Sequence, residues 1–136
     1  MNSKEIRWKQ RFDNFNKAYL KLKEAIEDFE NLDLLSKEGL IQRFEYSYEL
    51  AWKTLKDFLE SRQVETGFPR DVIKQAFAYD IIDDGEIWLN MHNQRNLLSH
   101  TYDEENFHKA LELIRKQYYE QLSKLHHYLQ LQVDND

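Results

Sequence analysis

The segment RNLLSHTYDEEN, residues 95–106, brings together three side chains that could do chemistry: Arg95, His100 and Tyr102. A guanidinium can contact a phosphate through two parallel hydrogen bonds, and an imidazole can exchange a proton near neutral pH. Side chains five residues apart on a straight helix point about 140° away from each other, so Arg95 and His100 cannot share an ordinary helical face. We therefore expect the helix that carries Arg95 to end near Ser99, which would let His100 turn back toward Arg95 or toward a second copy of the chain.

The same three residues also have a purely structural interpretation. Arg95 can cap the last carbonyls of a helix or pair with an acidic side chain, and His100 can lie at a helix C-terminus, where positive charge is favoured. Tyr102 can pack against the core. The spacing alone does not decide between this interpretation and a site that handles phosphate.

Composition limits the class of protein. The chain has 136 residues, 41% of them hydrophobic, which is enough for one core, so we expect a single domain over residues 1–136. It has no cysteine, which excludes disulfides and thiolate metal sites and indicates a reducing, cytoplasmic compartment. No segment resembles a signal peptide or a membrane span. The net charge of -6 argues against a broad, sequence-independent grip on nucleic acid, but a small local site for RNA or a nucleotide is compatible with it.

Helix-breaking residues are scarce, with only three Gly and one Pro, and the apolar residues recur every three or four positions. The first predicted helix covers about residues 4–31, and the second begins after Ser36 as its N-cap and ends near Arg62. Their predicted buried residues are Trp8, Phe12, Phe15, Tyr19, Leu22, Ile26 and Phe29 in the first helix, and Phe44, Tyr48, Ala51, Leu55 and Phe58 in the second.

Three more helices follow. Pro69 is well placed to begin a short third helix through Ile81, and a fourth helix over about residues 86–99 carries Arg95 on its packed side. Either Thr101 or Asp103 can cap a long fifth helix. Its predicted buried residues are Phe107, Leu111, Ile114, Tyr118, Leu122, Leu125 and Leu129. The fold class predicted from these patterns is all-α, an up-and-down bundle of four main helices and one short one.

Two sets of motifs resemble a known family. RNLLSHTY is similar to the Arg-x4-His-x-Tyr signature of HEPN domains (higher eukaryote and prokaryote nucleotide-binding), including the polar Asn96 after the arginine. FEYSYELAWKTLKDFL at 44–59, FPRDVIKQAF at 68–77 and IWLNMHNQRNLLSHTYDEE at 87–105 resemble nucleotidyltransferase substrate-binding proteins. The similarity runs from the second helix into the fifth, while the first helix matches only in its amphipathic character.

The resemblance implies a HEPN-like homodimer that pairs with a minimal nucleotidyltransferase encoded nearby, in a two-component system similar to toxin–antitoxin pairs. In that setting Arg95 and His100 would bind a nucleotide or RNA phosphate, with Asn96 orienting His100. The alternative is a metal-independent ribonuclease toxin, in which His100 transfers protons, Arg95 stabilises the phosphate, and AMPylation of Tyr102 by the transferase neutralises the activity. A helical scaffold with an inactive site is a third interpretation. None of these requires a metal or a cofactor in this chain.

Other polar residues are weaker candidates. The chain lacks the Gly-Ser and paired-aspartate pattern of nucleotidyltransferases, so we expect no nucleotidyl transfer by this chain alone. His126 and His127 are adjacent on one helix and point apart, which favours solvent-facing roles over metal binding. His92 and His108 could enlarge an anion site near Arg95, although exposed positions are more typical of such residues.

Two glutamates of the second helix are also candidates. Glu45 and Glu49 lie one turn apart and could form a paired carboxylate site, although salt bridges to Lys53 or Lys56 are the better expectation.

Overall fold

The computed structural model describes residues 2–96 and 103–135, and over this part of the chain it is helical with no strand. This confirms the predicted all-α fold class. A short 3-10 turn at Phe29–Asn31 follows the first helix, and a π-helical segment at Ile114–Tyr118 joins the last two. The helices are α1 (Ser3–Glu27), α2 (Leu34–Ser61), α3 (Pro69–Ala78), α4 (Gly85–Gln94), α5 (Glu104–Leu113) and α6 (Tyr119–Asp134).

The two longest helices, α1 and α2, form an antiparallel pair. Arg11 near the start of α1 lies 3.1 Å from the carboxylate of Asp57 near the end of α2. At the other end of the pair, Arg43 donates a 2.8 Å hydrogen bond to the carbonyl of Lys21. The predicted stripe on α1 faces this partner: Trp8, Phe12, Phe15, Tyr19 and Leu22 are buried, and Ile26 and Phe29 are partly buried against the same core.

The long fifth helix predicted from the sequence is present as α5, the π-helical segment and α6 in direct succession. All seven residues predicted for its buried stripe are buried. Tyr118 in the π-helical segment stacks on Phe44 of α2, with ring centroids 5.4 Å apart. Tyr19 of α1 donates a 2.9 Å hydrogen bond to the hydroxyl of Ser123 on α6. The continuous helix formed by α5, the π-helical segment and α6 therefore packs against both α1 and α2. The spacing of its apolar residues did not reveal the π turn within it.

The prediction that His126 faces solvent is wrong. Its ring stacks on Tyr19 with centroids 4.3 Å apart, and its Nε2 lies 2.6 Å from Oδ1 of Asn16. Burial is the main cause that lowers the pKa of His126, with Lys23 adding to it. The neighbouring His127 is exposed, as predicted.

The predicted C-terminus of α1 and the predicted N-terminus of α2 are both wrong. α1 ends at Glu27, and the 3-10 turn occupies the residues up to Asn31. The N-cap of α2 is Asp33, not Ser36, because the Asp33 carboxylate accepts a 2.8 Å hydrogen bond from the backbone N–H of Ser36. The helix therefore begins three residues earlier than predicted.

The boundaries of α3 and α4 are set by turns. Pro69 is the first residue of α3, as predicted, but the helix ends at Ala78. Asp80 then adopts a left-handed backbone with φ of 60°, and the N–H of Ile81 donates to the carbonyl of Ala76 at 2.9 Å, which closes the helix. Asp84 caps α4 by accepting a 3.0 Å hydrogen bond from Ile87.

The N-terminus of α5 decides between Thr101 and Asp103, the two residues predicted as possible caps. Asp103 accepts a 2.8 Å hydrogen bond from the backbone of Asn106, so Asp103 is the N-cap. The predicted fourth helix over about residues 86–99 is too long, because α4 ends at Gln94 and residues 95 and 96 form a turn. Ser99 itself lies outside the described residues. Within the described residues, the structure contains no helix long and apolar enough to cross a membrane.

The Asp33 cap predicts a pH-dependent loss of stability. Its backbone hydrogen bond from Ser36 lowers the pKa of the Asp33 carboxyl from 3.8, so its contribution is full above that pH and is lost as the pH falls through the lowered value. We expect Asp33→Ala to lower the Tm at pH 7 by several degrees. Ser36→Ala keeps the backbone N–H and removes only the weaker side-chain hydrogen bond to Asp33, so it should lower the Tm by less than Asp33→Ala does. Calorimetry from pH 7 down to strongly acidic pH checks this, and equal effects of the two substitutions at pH 7 would contradict the cap.

Candidate functional site

Arg95 directly follows the last residue of α4 and lies against the middle of α2. Its Nε is 3.7 Å from Oε1 of Glu49, and one terminal nitrogen donates to the backbone carbonyl of His92. The side chain is 28% exposed. The guanidinium is thus held by α4 and α2 while part of it still faces solvent, as an anion-binding group requires.

His92 joins this arginine to the buried core. Its Nδ1 lies 2.9 Å from the hydroxyl of Tyr48, a fully buried residue of α2, and its Nε2 lies 3.4 Å from Arg95. A guanidinium can only donate hydrogen bonds, so Nε2 accepts, and the proton of the neutral ring is on Nδ1. The Nδ1–H therefore donates to the Tyr48 oxygen, and the orientation of the ring is fixed from both sides.

The surroundings of His92 favour the neutral imidazole. Burial is the main cause that lowers its pKa from 6.5, and the positive charges of Arg95 and Arg70 lower it further, while Glu49 acts in the opposite direction. Burial also raises the pKa of the Tyr48 hydroxyl, which keeps it protonated. At neutral pH the pair is uncharged, and Arg95 carries a positive charge beside it.

Glu49 is the anion that Arg95 contacts in this structure. Its second carboxylate oxygen accepts a 3.2 Å hydrogen bond from the indole of Trp52, and Lys53 lies 3.8 Å from the same oxygen. The expected salt bridge between Glu49 and Lys53 is therefore present. The carboxylate is 43% exposed, so a phosphate that approaches Arg95 must share the guanidinium with Glu49 or displace it.

A second arginine lies near the imidazole. Arg70 in the first turn of α3 donates a 2.7 Å hydrogen bond to the side chain of Asn93, the residue next to His92. Its charge is one of the causes that lower the pKa of His92. The described part of the cluster therefore combines two guanidiniums, one neutral imidazole and one carboxylate. This set can bind an anion, and it would gain positive charge if His92 became protonated.

The structure describes only part of the predicted site. His100 and Tyr102 lie outside the described residues, so their positions relative to Arg95 stay a prediction. Asn96 is described and exposed, in the turn that follows α4. His92 does lie beside Arg95, while His108 is exposed on α5 and pairs with Glu104 at 3.6 Å. Among the described residues, no three histidine or carboxylate side chains could together hold a metal ion.

The sequence did not single out Tyr48 for the site. It named His92 only as a weaker candidate near Arg95, and it predicted the salt bridge of Glu49 to Lys53 but not the contact of Glu49 with Arg95. His92 and Arg95 are three residues apart, a spacing that places two side chains on one helical face, and this signal could have favoured the pair. Tyr48 was predicted only as a buried residue of the second helix. Its contact with His92 crosses 44 positions of sequence and depends on how α4 packs against α2.

The His92 cluster predicts opposite pKa changes for two substitutions. Removing a positive charge with Arg95→Gln should raise the pKa of His92 toward its ordinary value, and Glu49→Gln should lower it further. Because the native fold favours the neutral ring, its contribution to stability should be full above pH 6.5 and decline as the pH falls through the lowered pKa. NMR titration of the His92 ring measures both shifts. Arg7→Ala, which removes an exposed arginine that pairs with Glu60, is the control.

Comparison with protein families gives a match over most of the chain. The model for proteins described as nucleotidyltransferase substrate binding protein like matches residues 10–131. A curated protein of Haemophilus influenzae, named probable ribonuclease HepT, is 37% identical over 73 residues. That alignment covers 49% of this chain and 49% of the relative, so the matched part spans about half the length of the curated protein.

Two solved structures are similar in fold. A crystal structure of a Thermus thermophilus protein has a TM-score of 0.73 and 29% identity, and the match covers 82% of this chain and 94% of that protein. A Haemophilus influenzae protein, described as having the fold of a substrate binding domain of a nucleotidyltransferase, has a TM-score of 0.75 and 24% identity. That match covers 88% of this chain and 98% of the other, and at this identity it establishes likeness of fold alone.

Proposed function

Because the chain belongs to the family of nucleotidyltransferase substrate binding protein like proteins, we propose that it is the helical substrate-binding subunit of a two-component nucleotidyltransferase system. The partner is a separate minimal nucleotidyltransferase, and the pair resembles a toxin–antitoxin system. The observation that carries the proposal is the partly exposed Arg95 guanidinium, held against α2 by Glu49 and against α4 by His92. Arg95 binds the phosphate of a nucleotide or of RNA, with His100 and Asn96 completing the site.

The proposed site is assembled from two copies of the chain. One set of Arg95, Asn96 and His100 offers too few polar groups to enclose a phosphate, whereas a two-fold axis near them would bring two sets into one cleft. Glu49 takes part as an internal competitor for the guanidinium. A bound phosphate adds negative charge beside His92 and favours its protonated form, so phosphate binding and proton uptake are linked.

The second candidate function is that of a metal-independent ribonuclease, and the 37% identity to probable ribonuclease HepT favours it. In this function His100 moves protons at the ribose 2′-hydroxyl or the leaving oxygen, and Arg95 stabilises the charge that develops on the phosphate. The subunit and the ribonuclease use the same arginine. They differ in whether the chain by itself breaks the phosphodiester bond.

A binding experiment tests the first function. We expect the wild-type chain to bind AMP and to bind adenosine much more weakly, since the phosphate is the group that Arg95 recognises. Arg95→Ala should weaken AMP binding by roughly ten- to a hundredfold, the usual effect of losing hydrogen bonds to a charged group, and Arg7→Ala should leave it unchanged. Calorimetric titration measures the affinities. Light scattering tests whether the chain forms the proposed homodimer, and co-purification with the neighbouring transferase tests whether the two proteins form a complex. Equal affinity of wild type and Arg95→Ala would contradict the site.

Incubation with total RNA and a chelator separates the two functions in the same samples. Cleavage by wild type that disappears in both Arg95→Ala and His100→Ala, with helicity and dimerisation unchanged, would support the ribonuclease. Intact RNA together with AMP binding supports the subunit. Neither cleavage nor binding, with no complex formed, would leave the inactive scaffold as the interpretation.

Tyr102 is the proposed acceptor of a regulatory modification. In the partner's reaction its phenol oxygen attacks the α-phosphate of ATP, pyrophosphate leaves and the phenol proton goes to solvent. The added AMP places negative charge and bulk within reach of Arg95 and excludes a second phosphate. Intact-mass spectrometry after incubation with partner, ATP and Mg²⁺ should show one adenylyl increment on wild type and on Tyr46→Phe, an exposed control, and none on Tyr102→Phe. An equal increment on Tyr102→Phe would rule out Tyr102 as the sole acceptor.

A further inference from the structure

A groove of about 680 Å³ lies between the second half of α1 and the first half of α2. Four charged residues line it, Lys17, Lys21 and Glu24 on α1 and Arg43 on α2. Three cations and one carboxylate leave two positive charges, whereas the whole chain carries a net charge of -6. None of the residues in contact with Arg95 lines the groove. The groove is therefore a local basic surface outside the Arg95 cluster.

Two of these cations have no carboxylate partner among the described residues. Lys21 and Arg43 are both exposed, and neither forms an ion pair within this part of the chain. Arg43 donates one 2.8 Å hydrogen bond to the carbonyl of Lys21, which holds the two residues side by side and leaves most of the guanidinium donors unused. Lys17 lies 3.2 Å from Asp13, but these side chains are 69% and 63% exposed, and an exposed ion pair of this kind is weak. The groove therefore offers neighbouring cations that a phosphate can bind.

Tyr46 adds an exposed aromatic ring to the same groove. It lines the groove from α2, is 64% exposed and is not part of the hydrophobic core, whereas Tyr48 two positions later is fully buried. Proteins that bind single-stranded nucleic acid combine positive charge for the backbone with aromatic rings on which the bases stack. The groove has both components in one place.

The spacing along α2 connects the groove to the Arg95 cluster. Arg43 lies three residues before Tyr46, and Glu49 lies three residues after it, so each is a neighbour of Tyr46 on the helix surface, with about 5–6 Å between Cβ atoms. Glu49 is the residue whose carboxylate lies 3.7 Å from Arg95. Along the helix, Tyr46 therefore lies between the cations of the groove and the residue that contacts Arg95.

We propose that the groove is a second phosphate subsite and that the ligand of the Arg95 site is a single-stranded oligonucleotide instead of a mononucleotide. One phosphate binds Arg95, the adjacent base stacks on the Tyr46 ring, and a neighbouring phosphate binds Lys21 and Arg43. Lys17 adds positive charge, and Glu24 opposes it in part. This inference rests on the proposed phosphate site at Arg95 and names the class of ligand that the site holds.

The probe is a 5′-phosphorylated oligodeoxyadenylate of about five nucleotides, long enough to reach both subsites. It lacks the 2′-hydroxyl that the ribonuclease mechanism uses, so it stays intact during the measurement. Fluorescence anisotropy of the labelled strand at several salt concentrations gives its affinity, and calorimetric titration gives that of AMP. We expect the strand to bind the wild-type chain more tightly than AMP does, with a steeper salt dependence, because more phosphates are neutralised.

Lys21→Gln tests the second phosphate contact. It should weaken binding of the strand and flatten the plot of log affinity against log salt concentration by about 0.7, the contribution of one phosphate contact to a single strand. The affinity for AMP, which reaches only the Arg95 site, should stay the same. Lys23→Gln is the matched control, because Lys23 is an exposed lysine of α1 that does not line the groove.

Tyr46→Ala tests the stacking contact. It should weaken binding of the strand by about five- to a hundredfold, the usual effect of losing one base–aromatic stack, and Tyr46→Phe, which keeps the ring, should restore the wild-type affinity. The exposed position of Tyr46 favours normal folding of both variants, and circular dichroism checks this.

The outcomes separate this inference from the proposed function. AMP binding that depends on Arg95, together with a strand affinity that is unchanged in Lys21→Gln and Tyr46→Ala, would overturn the inference and leave the Arg95 site intact. An equal response to Lys21→Gln and Lys23→Gln would also overturn it, because the attraction would then be non-specific. If wild type fails to bind AMP while the strand still responds to Lys21→Gln and Tyr46→Ala, the Arg95 site fails and the groove stands as a nucleic-acid site.

Discussion

The placement of Arg95 depends on the hydrogen bond between His92 and the hydroxyl of Tyr48. Tyr48 is fully buried in α2, and a buried hydroxyl without a partner would cost about 1–3 kcal/mol. The end of α4 must therefore pack where the His92 ring reaches this hydroxyl at 2.9 Å. Arg95 follows within one turn and contacts the same ring. This polar contact between α2 and α4 thus fixes where the partly exposed guanidinium lies.

The charges around Arg95 bear on which anions the proposed site would select. The whole chain carries a net charge of -6, so the attraction of anions is local to a few cations. Glu49 partly neutralises Arg95, and the same carboxylate is held by Trp52 and Lys53. A weakly bound anion would not displace Glu49, whereas a phosphate that makes two hydrogen bonds to the guanidinium could. The neutral state of His92 keeps the resting cluster from accumulating positive charge.

The tryptophans show how one aromatic residue type serves different purposes in a small helical bundle. Trp8 and Trp52 satisfy their indole N–H groups locally, through a glutamate on the preceding turn of the same helix. Trp88 packs near Tyr48, with ring centroids 6.3 Å apart, and Gly85 precedes it at the equivalent position. The Trp88 ring therefore packs beside the Tyr48–His92 contact.

The sequence by itself determined the helices and most of the buried stripe, because both follow from interactions within a turn or two of one helix. The spacing of residues such as Trp8, Phe12 and Phe15, or Leu122 and Leu125, predicted their burial correctly. Pro69 marked the start of α3 for the same local reason. The cap of α2 was predicted at Ser36 instead of Asp33 because two polar residues compete there, and the hydrogen-bond geometry decides between them. The motif residues also indicated the family.

Only the tertiary structure decided which polar groups meet. Tyr48 and His92, or Glu49 and Arg95, are more than 40 positions apart, and their contacts depend on how α2 and α4 are rotated about their axes. A shift of one residue turns a side chain by about 100°, so a periodic pattern that places a residue on the buried side does not fix its partner. The partial burial of His126 against Tyr19 arises in the same way, and so does the Trp88 indole, which has no hydrogen-bond partner among the described residues. They result from packing between helices, which local spacing does not encode.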